Sequence, residues 1–317
     1  MKFADLKQMN SRCKQVIFVL YLITNKTIMI IMLELTMFKK KILITILIFM
    51  FSLQLYSQTK LESDSLNSTI PKFSKAIEDN SFFVEEAYNQ EDGVIQHISS
   101  LIRDHSKNYF YAFTQEWPFF SQTHQLSATV PFSYFSSNSV SGLGDIYLNY
   151  RYQLFGHDDW AAASPRFSII LPTVNAKRGL GEDVTGFEVN LPFSKRLNEN
   201  FVTHVNLGFT LMPNSETIVS GNQIKKTLTS FNYGVSVIWL MNYNLNFMFE
   251  YVGNSLAEFD VKGDVKNNIA HTLVPGLRYA VDIGNLQIVP GLAVPIVIEG
   301  KSSKANLLVY LSFEHSI

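Results

Sequence analysis

The sequence predicts an all-β fold, a transmembrane antiparallel up-and-down β-barrel of about twelve strands preceded by a signal peptide. Apolar and polar residues alternate with period two in about a dozen segments of roughly ten residues. Short connections between these segments alternate with longer ones. No helical segment remains to cover the apolar faces, so we expect them to meet lipid. Membrane-spanning strands have this length, about 9–11 residues, and this alternation.

The first 57 residues carry targeting signals and are excluded from the fold. A basic run, Lys39–Lys41, precedes the apolar stretch Ile42–Phe51, and Ser57 suits cleavage before Gln58. The apolar stretch is shorter than the roughly 20 residues of a transmembrane helix. We expect translation to start at Met37, with residues 37–57 as the signal peptide and residues 1–36 as an over-extended start. A second anchor helix in residues 1–36 is the less favoured alternative.

Removal of this leader changes the charge of the chain. Residues 1–57 hold eight basic and two acidic residues, which leaves 18 basic and 25 acidic residues and a net charge of −7. An acidic chain without a basic stripe is not expected to bind nucleic acid. The single cysteine, Cys13, leaves with the leader, so we expect no disulfide, thiolate metal site or acylated cysteine.

Residues 58–92 are polar and are expected to form a periplasmic lead-in, or a plug inside the barrel. Within them, Phe83–Gln90 is the part most expected to be ordered. The barrel is predicted to comprise residues 93–317.

Strand prediction is clearest in Gly142–Leu154, where Leu148 and Tyr150 share one face and Asn149 and Arg151 share the other. Similar alternation covers Gln125–Tyr134, Phe187–Ser194, His204–Leu211, Phe231–Trp239, Leu245–Tyr251 and Leu307–Glu314. Less regular strands are predicted at Tyr109–Phe119, Phe167–Leu171, Ile269–Val281 and Leu286–Ile298, and the weakest at Val94–Ile102.

Connection lengths give an independent indication of the same fold. The short connections are Ser121–Thr123, Phe155–Trp160, Arg196–Asn200, Met241–Asn244 and Asp282–Asn285. The alternating connections, three of them clearly long, are Arg103–Asn108, Ser136–Ser141, Thr173–Gly186, Asn214–Lys226, Asn254–Asn267 and Glu299–Asn306. Outer-membrane barrels have short periplasmic turns and longer extracellular loops. Twelve strands therefore place both termini in the periplasm.

The polar face of the predicted strands supplies the candidate site residues. The lumen-lining candidates are Glu116, Asp145, Tyr147, Asn149, Arg151, Glu188, Asn190, Asn232, Glu250, Arg278 and Glu314. Because an unpaired buried charge is costly, the charged members either pair and hold the interior together or form a polar path that selects solutes. We expect Glu116 with Arg151, and Arg278 with Glu314, to form part of a charged network near the periplasmic exit.

Three stretches carry a family resemblance. These are GLGDIYLNYRYQL at 142–154, ILPT at 170–173 and GLGEDVTGFEVNLPFSKRL at 179–197. From about Glu85 to the C-terminus the chain resembles the meta-pathway (MetA-pathway) phenol-degradation outer-membrane β-barrel transporters. The resemblance implies an outer-membrane barrel that admits hydrophobic or aromatic compounds. The leader end, YSQ, resembles those of the Bacteroidetes group.

We therefore expect a passive channel or uptake protein for small apolar or aromatic compounds in the outer membrane of a Gram-negative bacterium. Two alternatives stay open: a closed structural or adhesive barrel that acts through its loops, and a lipid-modifying barrel enzyme. The expected partners are the lipid bilayer, the barrel-assembly machinery and a small hydrophobic solute.

Enzyme activity is not expected. His124 and Ser127, three residues apart, point to opposite faces of a strand, and there is no GxSxG motif. The seven histidines are scattered and the GxGD motif precedes a strand rather than a helix, so no metal or cofactor is expected.

Overall fold

A computed structural model describes residues 77–78, 81–156, 159–174 and 179–316 of the 317-residue chain. The expected extension (1–36), the expected signal peptide (37–57) and most of the expected lead-in lie outside these ranges. No helix in the described ranges is long and apolar enough to cross a membrane.

The described chain forms a closed antiparallel barrel of twelve strands, as the sequence predicts. The strands are β1 (Val94–Arg103), β2 (Tyr109–Phe119), β3 (Ser121–Phe135), β4 (Val140–Leu143 and Ile146–Tyr152), β5 (Ala162–Ala163 and Arg166–Leu171), β6 (Gly186–Arg196), β7 (Phe201–Val219), β8 (Asn222–Leu240), β9 (Leu245–Phe259), β10 (Val265–Tyr279 and Val281–Ile283), β11 (Leu286–Ala293 and Ile296–Glu299) and β12 (Ser302–Ala305 and Leu307–Ser316). Each strand pairs with its neighbours in the chain. The weakest predicted strand, β1, pairs with both β2 and β12 and closes the ring.

Alternation of exposed and buried side chains confirms the predicted faces. In β4, Leu148 is 46% exposed and Tyr150 37%, whereas Asn149 and Arg151 are 8% and 4% exposed. Large apolar side chains stay exposed on the outer face of most other strands. A water-soluble sheet would bury that face, so the outer surface is suited to lipid.

The two ends of the barrel differ, and one part of the loop prediction is wrong. At the short-turn end, Phe120 alone joins β2 to β3. At the opposite, long-loop end, the predicted loops Asn214–Lys226, Asn254–Asn267 and Glu299–Asn306 are largely extensions of the flanking strands.

The hairpin between β7 and β8 shows why these polar segments continue as strands. Ser220 and Gly221 both have positive φ, 50° and 82°, which suits a two-residue hairpin turn. Below the turn, Glu216 lies opposite Lys225 and forms an ion pair with it. Polar residues thus continue the antiparallel β-ladder, because cross-strand pairs such as Glu216 and Lys225 stabilise it.

A hydrophobic core lies inside the barrel. One cluster of buried side chains comprises Val202, Ile238, Leu240 and Met248, and a second comprises Val274, Ala293, Leu308 and Tyr310. The ring of Phe82 packs against both clusters and meets Tyr310 edge-on, with ring centroids 5.7 Å apart. The segment before β1 therefore contributes to the interior.

Candidate functional site

Residues 77–78 and 81–90, here called the lumen segment, follow a U-shaped path inside the barrel. Ile77 packs against Ala280 near the short-turn end. Phe82 reaches the hydrophobic core, and Asn89 returns to bond the carbonyl oxygens of Gln122 and Thr123 beside the β2–β3 turn. The segment thus enters and leaves at the same end before the chain continues into β1.

The tip of the lumen segment is held by one carboxylate. Glu250 on β9 is fully buried and accepts hydrogen bonds from three successive backbone N–H groups, those of Phe82 (2.6 Å), Phe83 (2.9 Å) and Val84 (3.4 Å). These amides lie outside any strand, and buried amides need acceptors. These three bonds anchor the tip of the lumen segment to β9.

Amide side chains from the barrel wall replace the backbone pairing of a strand. Asn206 accepts from the Glu85 N–H at 2.7 Å and donates to the Glu85 carbonyl at 2.8 Å. Gln153 accepts from the Asn89 N–H at 2.8 Å and donates to the Ala87 carbonyl at 2.6 Å. The segment is therefore fixed through its backbone as well as its side chains.

Two arginines and three carboxylates form a charged cluster beside the tip. Arg166 on β5 bonds Glu85 through Nε, 2.9 Å from each carboxylate oxygen, and through Nη2 at 2.6 Å. Its Nη2 also lies 2.5 Å from Glu188 on β6. Arg151 on β4 pairs with Glu85 and Glu86, both at 3.2 Å. A planar guanidinium binds carboxylates bidentately in this way.

Glu116 and Arg151, which the sequence places in one charged network, have different direct partners in the structure. Arg151 forms its ion pairs with the lumen segment, while Glu116, also buried, accepts a hydrogen bond from Gln125 at 2.9 Å. Glu85 and Glu86 on the lumen segment bind the Arg151 guanidinium, and the alternation of residues along the strands does not predict these contacts. The charged network that joins Glu116 with Arg151, and Arg278 with Glu314, stays a prediction.

The other candidates on the inner face have these surroundings. Asn149 donates a hydrogen bond to Ser127 at 3.0 Å, and Asn190 donates one to Asn206 at 3.4 Å. Arg278 is fully buried, with its Nε 3.4 Å from Asn246 Oδ1. Glu314 accepts a hydrogen bond from Gln90 at 3.2 Å. Tyr147 and Asn232 line cavities described below.

Asp145 binds the loop between β5 and β6. Its carboxylate accepts from the backbone N–H groups of Val174 (3.3 Å) and Glu182 (2.9 Å) in the loop between β5 and β6. A Cβ at Gly181 would lie 2.5 Å from both Asp145 carboxylate oxygens, so any larger residue there would displace the carboxylate. Burial and the nearby Asp145 carboxylate raise the pKa of Glu182 in this loop.

Sequence reasoning missed Arg166 and also a close Ser–His contact. Ser194 Oγ and His204 Nδ1 are 2.6 Å apart because the two residues face each other across β6 and β7. His204 Nε2 lies 3.0 Å from the Glu78 carbonyl and must donate to it, so Nδ1 accepts from Ser194. Ser194 Oγ in turn accepts from the Ala87 N–H at 2.6 Å. Both side chains bind the lumen segment, which gives the pair a structural role.

Two cavities adjoin the tip of the lumen segment. The larger, about 290 Å³, is lined by Phe82, Phe83, Ile98 and Tyr310 together with hydroxyl groups, among them Thr114 and Thr129. The smaller, about 210 Å³, is lined mainly by polar groups that include Asn190, Asn206, Asn232 and Asn254. Glu85, Arg166 and Glu188 border both. The larger volume is close to the lower end of small-molecule sites.

A closed barrel with an apolar outer face and a polar, segment-filled lumen defines the outer-membrane type of β-barrel. The family model described as "Putative MetA-pathway of phenol degradation" matches residues 93–289, and the chain belongs to that family, which confirms the resemblance seen in the sequence. No curated protein matches the chain.

One of the similar solved structures shows the same fold. The COG4313 outer membrane channel from Pseudomonas putida F1 superimposes with a TM-score of 0.52 at 13% identity, covering 73% of this chain and 98% of that one. The NanC porin gives 0.48 at 10% identity, covering 70% and 100%, and the CymD monoaromatic hydrocarbon channel gives 0.40 at 9%, covering 72% and 89%. At these identities the first likeness shows the fold alone, and the other two carry no further argument.

Proposed function

We propose that this protein is a passive channel that takes up small apolar or aromatic compounds across the outer membrane. The proposal rests on the barrel fold, the family and the cavity of about 290 Å³, whose lining combines aromatic rings and hydroxyl groups with charged side chains such as Glu85 and Arg166. That cavity is the single observation that carries the solute class, because aromatic walls bind an apolar ring and a few polar groups orient it. The role is not enzymatic.

In the proposed orientation both termini face the periplasm and the long-loop end faces outward. A solute then enters from the long-loop end and binds at the level of Phe82. Residues 58–92 serve as the periplasmic lead-in, of which the lumen segment is the plug, and residues 93–317 form the barrel. The partners are the outer-membrane lipids, the barrel-assembly machinery and the solute.

A closed structural or adhesive barrel is the second candidate, and one observation favours it. Side chains from eight strands bond the lumen segment: Gln125 (β3), Arg151 (β4), Arg166 (β5), Ser194 (β6), Asn206 (β7), Ser236 (β8), Glu250 (β9) and Glu314 (β12). A segment held on so many sides gives the interior the character of a packed core.

Conductance of the refolded protein in planar bilayers separates the two candidates, with Glu250→Ala as the variant that frees the tip amides. The channel proposal expects discrete openings in the wild type that small aromatic compounds reduce when they occupy the lumen. Openings only in Glu250→Ala would mean that the plug must be displaced by a further factor. A folded barrel that conducts in neither form would overturn the channel proposal in favour of the closed barrel.

A further inference from the structure

Two histidines meet on the outer face of the barrel where its first and last strands join. His97 on β1 and His315 on β12 lie 218 positions apart, yet their Nε2 atoms are 3.4 Å apart. In the register, His97 lies opposite Phe313 and Ile95 lies opposite His315, so the histidines are diagonal neighbours. Because Gln96 is buried, the adjacent His97 points outward.

The rings present their edges, not their faces, to each other. Their centroids are 5.5 Å apart, well beyond the distance between the Nε2 atoms, and their planes differ by only 18°. Two aromatic neighbours stack on His97, Phe313 with centroids 4.6 Å apart and Phe113 at 6.1 Å. This stacking holds the His97 ring with its Nε2 edge toward His315.

The proton positions leave a lone pair in the gap. His315 Nδ1 lies 3.1 Å from the Ser316 carbonyl oxygen, and since a carbonyl only accepts, Nδ1 carries a hydrogen. In the neutral ring Nε2 then has the lone pair that faces His97. A separation of 3.4 Å exceeds the usual range of about 2.7–3.2 Å for hydrogen bonds donated by nitrogen, so a direct bond between the two rings is weak at best.

The same separation suits a shared metal ion. Two imidazole nitrogens bound to a tetrahedral ion at about 2.0–2.1 Å are roughly 3.3–3.4 Å apart. We propose that His97 and His315 form a two-histidine site for a late first-row transition-metal ion such as Zn²⁺ or Cu²⁺. The Ser316 carbonyl fixes the His315 tautomer, as hydrogen-bonded carbonyls do for metal-binding histidines. The remaining coordination positions are open to water or a lipid phosphate.

The site is separate from the lumen and independent of the proposed transport function. The described residues contain no cluster of three or more His, Cys, Asp or Glu suited to a metal ion, so the affinity rests on two ligands. Bound metal would join β1 to β12 across the seam and stabilise the closed barrel by mass action. Cu²⁺ should bind more tightly than Zn²⁺.

The test uses refolded protein purified with a tag that contains no histidine. Cu²⁺ titration followed by electron paramagnetic resonance should show one site per barrel with two nitrogen ligands. His97→Gln and His315→Gln should each weaken binding at least about tenfold, since one ligand is lost. The controls are His124→Gln and His271→Gln, whose outward imidazoles each bond a single tyrosine, Tyr150 and Tyr251. These variants should bind as the wild type does.

A second readout uses Zn²⁺ and the heat-induced unfolding of the barrel, seen as a mobility shift on gels. Zn²⁺ should raise the unfolding temperature of the wild type and of both controls, but not that of His97→Gln or His315→Gln. Binding should weaken at acid pH, because protons compete with the metal ion for the imidazole nitrogens. Two results would overturn the proposal. One is that the wild type binds metal no more tightly than the His97→Gln/His315→Gln double variant. The other is that the control variants lose as much metal affinity as His97→Gln and His315→Gln do. If either His97→Gln or His315→Gln does not fold, the other variant and the electron paramagnetic resonance spectrum of the wild type still decide the outcome.

Discussion

Arg166 and Glu85 form a bidentate ion pair that joins the barrel wall to the segment inside it. Arg166 Nε lies 2.9 Å from both carboxylate oxygens of Glu85, and Nη2 is 2.6 Å from one of them. The same guanidinium also neutralises Glu188 on the adjacent strand. Arg166 therefore keeps two carboxylates of the same cluster together, and its removal should affect the lumen segment first.

Replacement of Arg166 by Gln should loosen the lumen segment and raise conductance. The change leaves Glu85 and Glu188 without their shared cation, and breaking one side of a buried ion pair costs about 3–5 kcal/mol. Bilayer conductance and protease cleavage within residues 81–90 would both report the release. Arg103→Gln, at an exposed position at the far end of β1, is the control. Unchanged cleavage in Arg166→Gln would show that the ion pair does not hold the segment.

Gly234 on β8 should be coupled to Val84 on the lumen segment. A Cβ at Gly234 would lie 2.8 Å from Val84 Cγ2, whereas its next neighbour, the Tyr251 carbonyl, is 3.4 Å away. Gly234→Ala should therefore destabilise docking of the segment, and Val84→Ala should relieve most of that loss by removing the clashing methyl groups. A double-mutant cycle on the protease cleavage rate should give a coupling of about 0.5–3 kcal/mol. If the effects of the two substitutions are additive, the Val84 side chain does not contact position 234.

Arginine should be tolerated on one face of the wall and not on the other. Leu148→Arg places a charge on the lipid face and should cost about 2–4 kcal/mol of barrel stability near the bilayer midplane. Thr129→Arg is the inward comparison, because Thr129 borders the larger cavity and loses only its bond to Thr114, about 1 kcal/mol. Urea unfolding in lipid vesicles measures both. Equal losses would mean that the faces are misassigned.

Asn149, which follows Leu148 and faces inward, is not a suitable inward control because of its hydrogen bonds. It donates to Ser127 and accepts from Arg166 at 3.3 Å. An arginine at this position would bring a further cation beside Arg166 and lose both bonds. We therefore expect Asn149→Arg to be harmful, and Thr129 to be the informative site.

Docking of the loop between β5 and β6 should strengthen as the pH falls. The pKa of Glu182 is raised because the docked loop buries it beside Asp145, so the docked form binds its proton more readily than the free form. A carboxyl with a raised pKa favours the docked form as the pH drops through that pKa. Protease cleavage of the loop should be slower at about pH 5 than at about pH 8. Glu182→Gln should remove the difference, and Asp145→Ala should speed cleavage at both values.

Local patterns predict the barrel wall well because they depend on neighbouring residues. Alternation in Gly142–Leu154 identifies which side chains of β4 face lipid, and the structure agrees at Leu148 and Arg151. The extended hairpin at Glu216 and Lys225 could not be foreseen in this way, since a segment rich in Ser, Asn and Lys is typical of a loop. Pairing across the hairpin, not composition, decides its form.

Partners inside the lumen depend on how distant segments come together, which composition and alternation do not record. The stretch Phe83–Gln90 was expected to be ordered, but nothing in it indicates that Glu85 binds Arg166, 81 positions later. Arg166 itself stands one residue before the predicted strand Phe167–Leu171. The Ser194–His204 contact arises only from the register of β6 and β7.

The path of the lumen segment also sets an order of events during assembly. Its bonds reach from 33 positions ahead, at Gln122, to 224 positions ahead, at Glu314. Contacts so distant along the chain carry a large loop-closure cost until the intervening strands have paired. The segment is among the first parts of the barrel region to be synthesised, yet it must be among the last to dock. We therefore expect the newly closed barrel to have a more open interior until the chain ahead of Val94 binds Glu250.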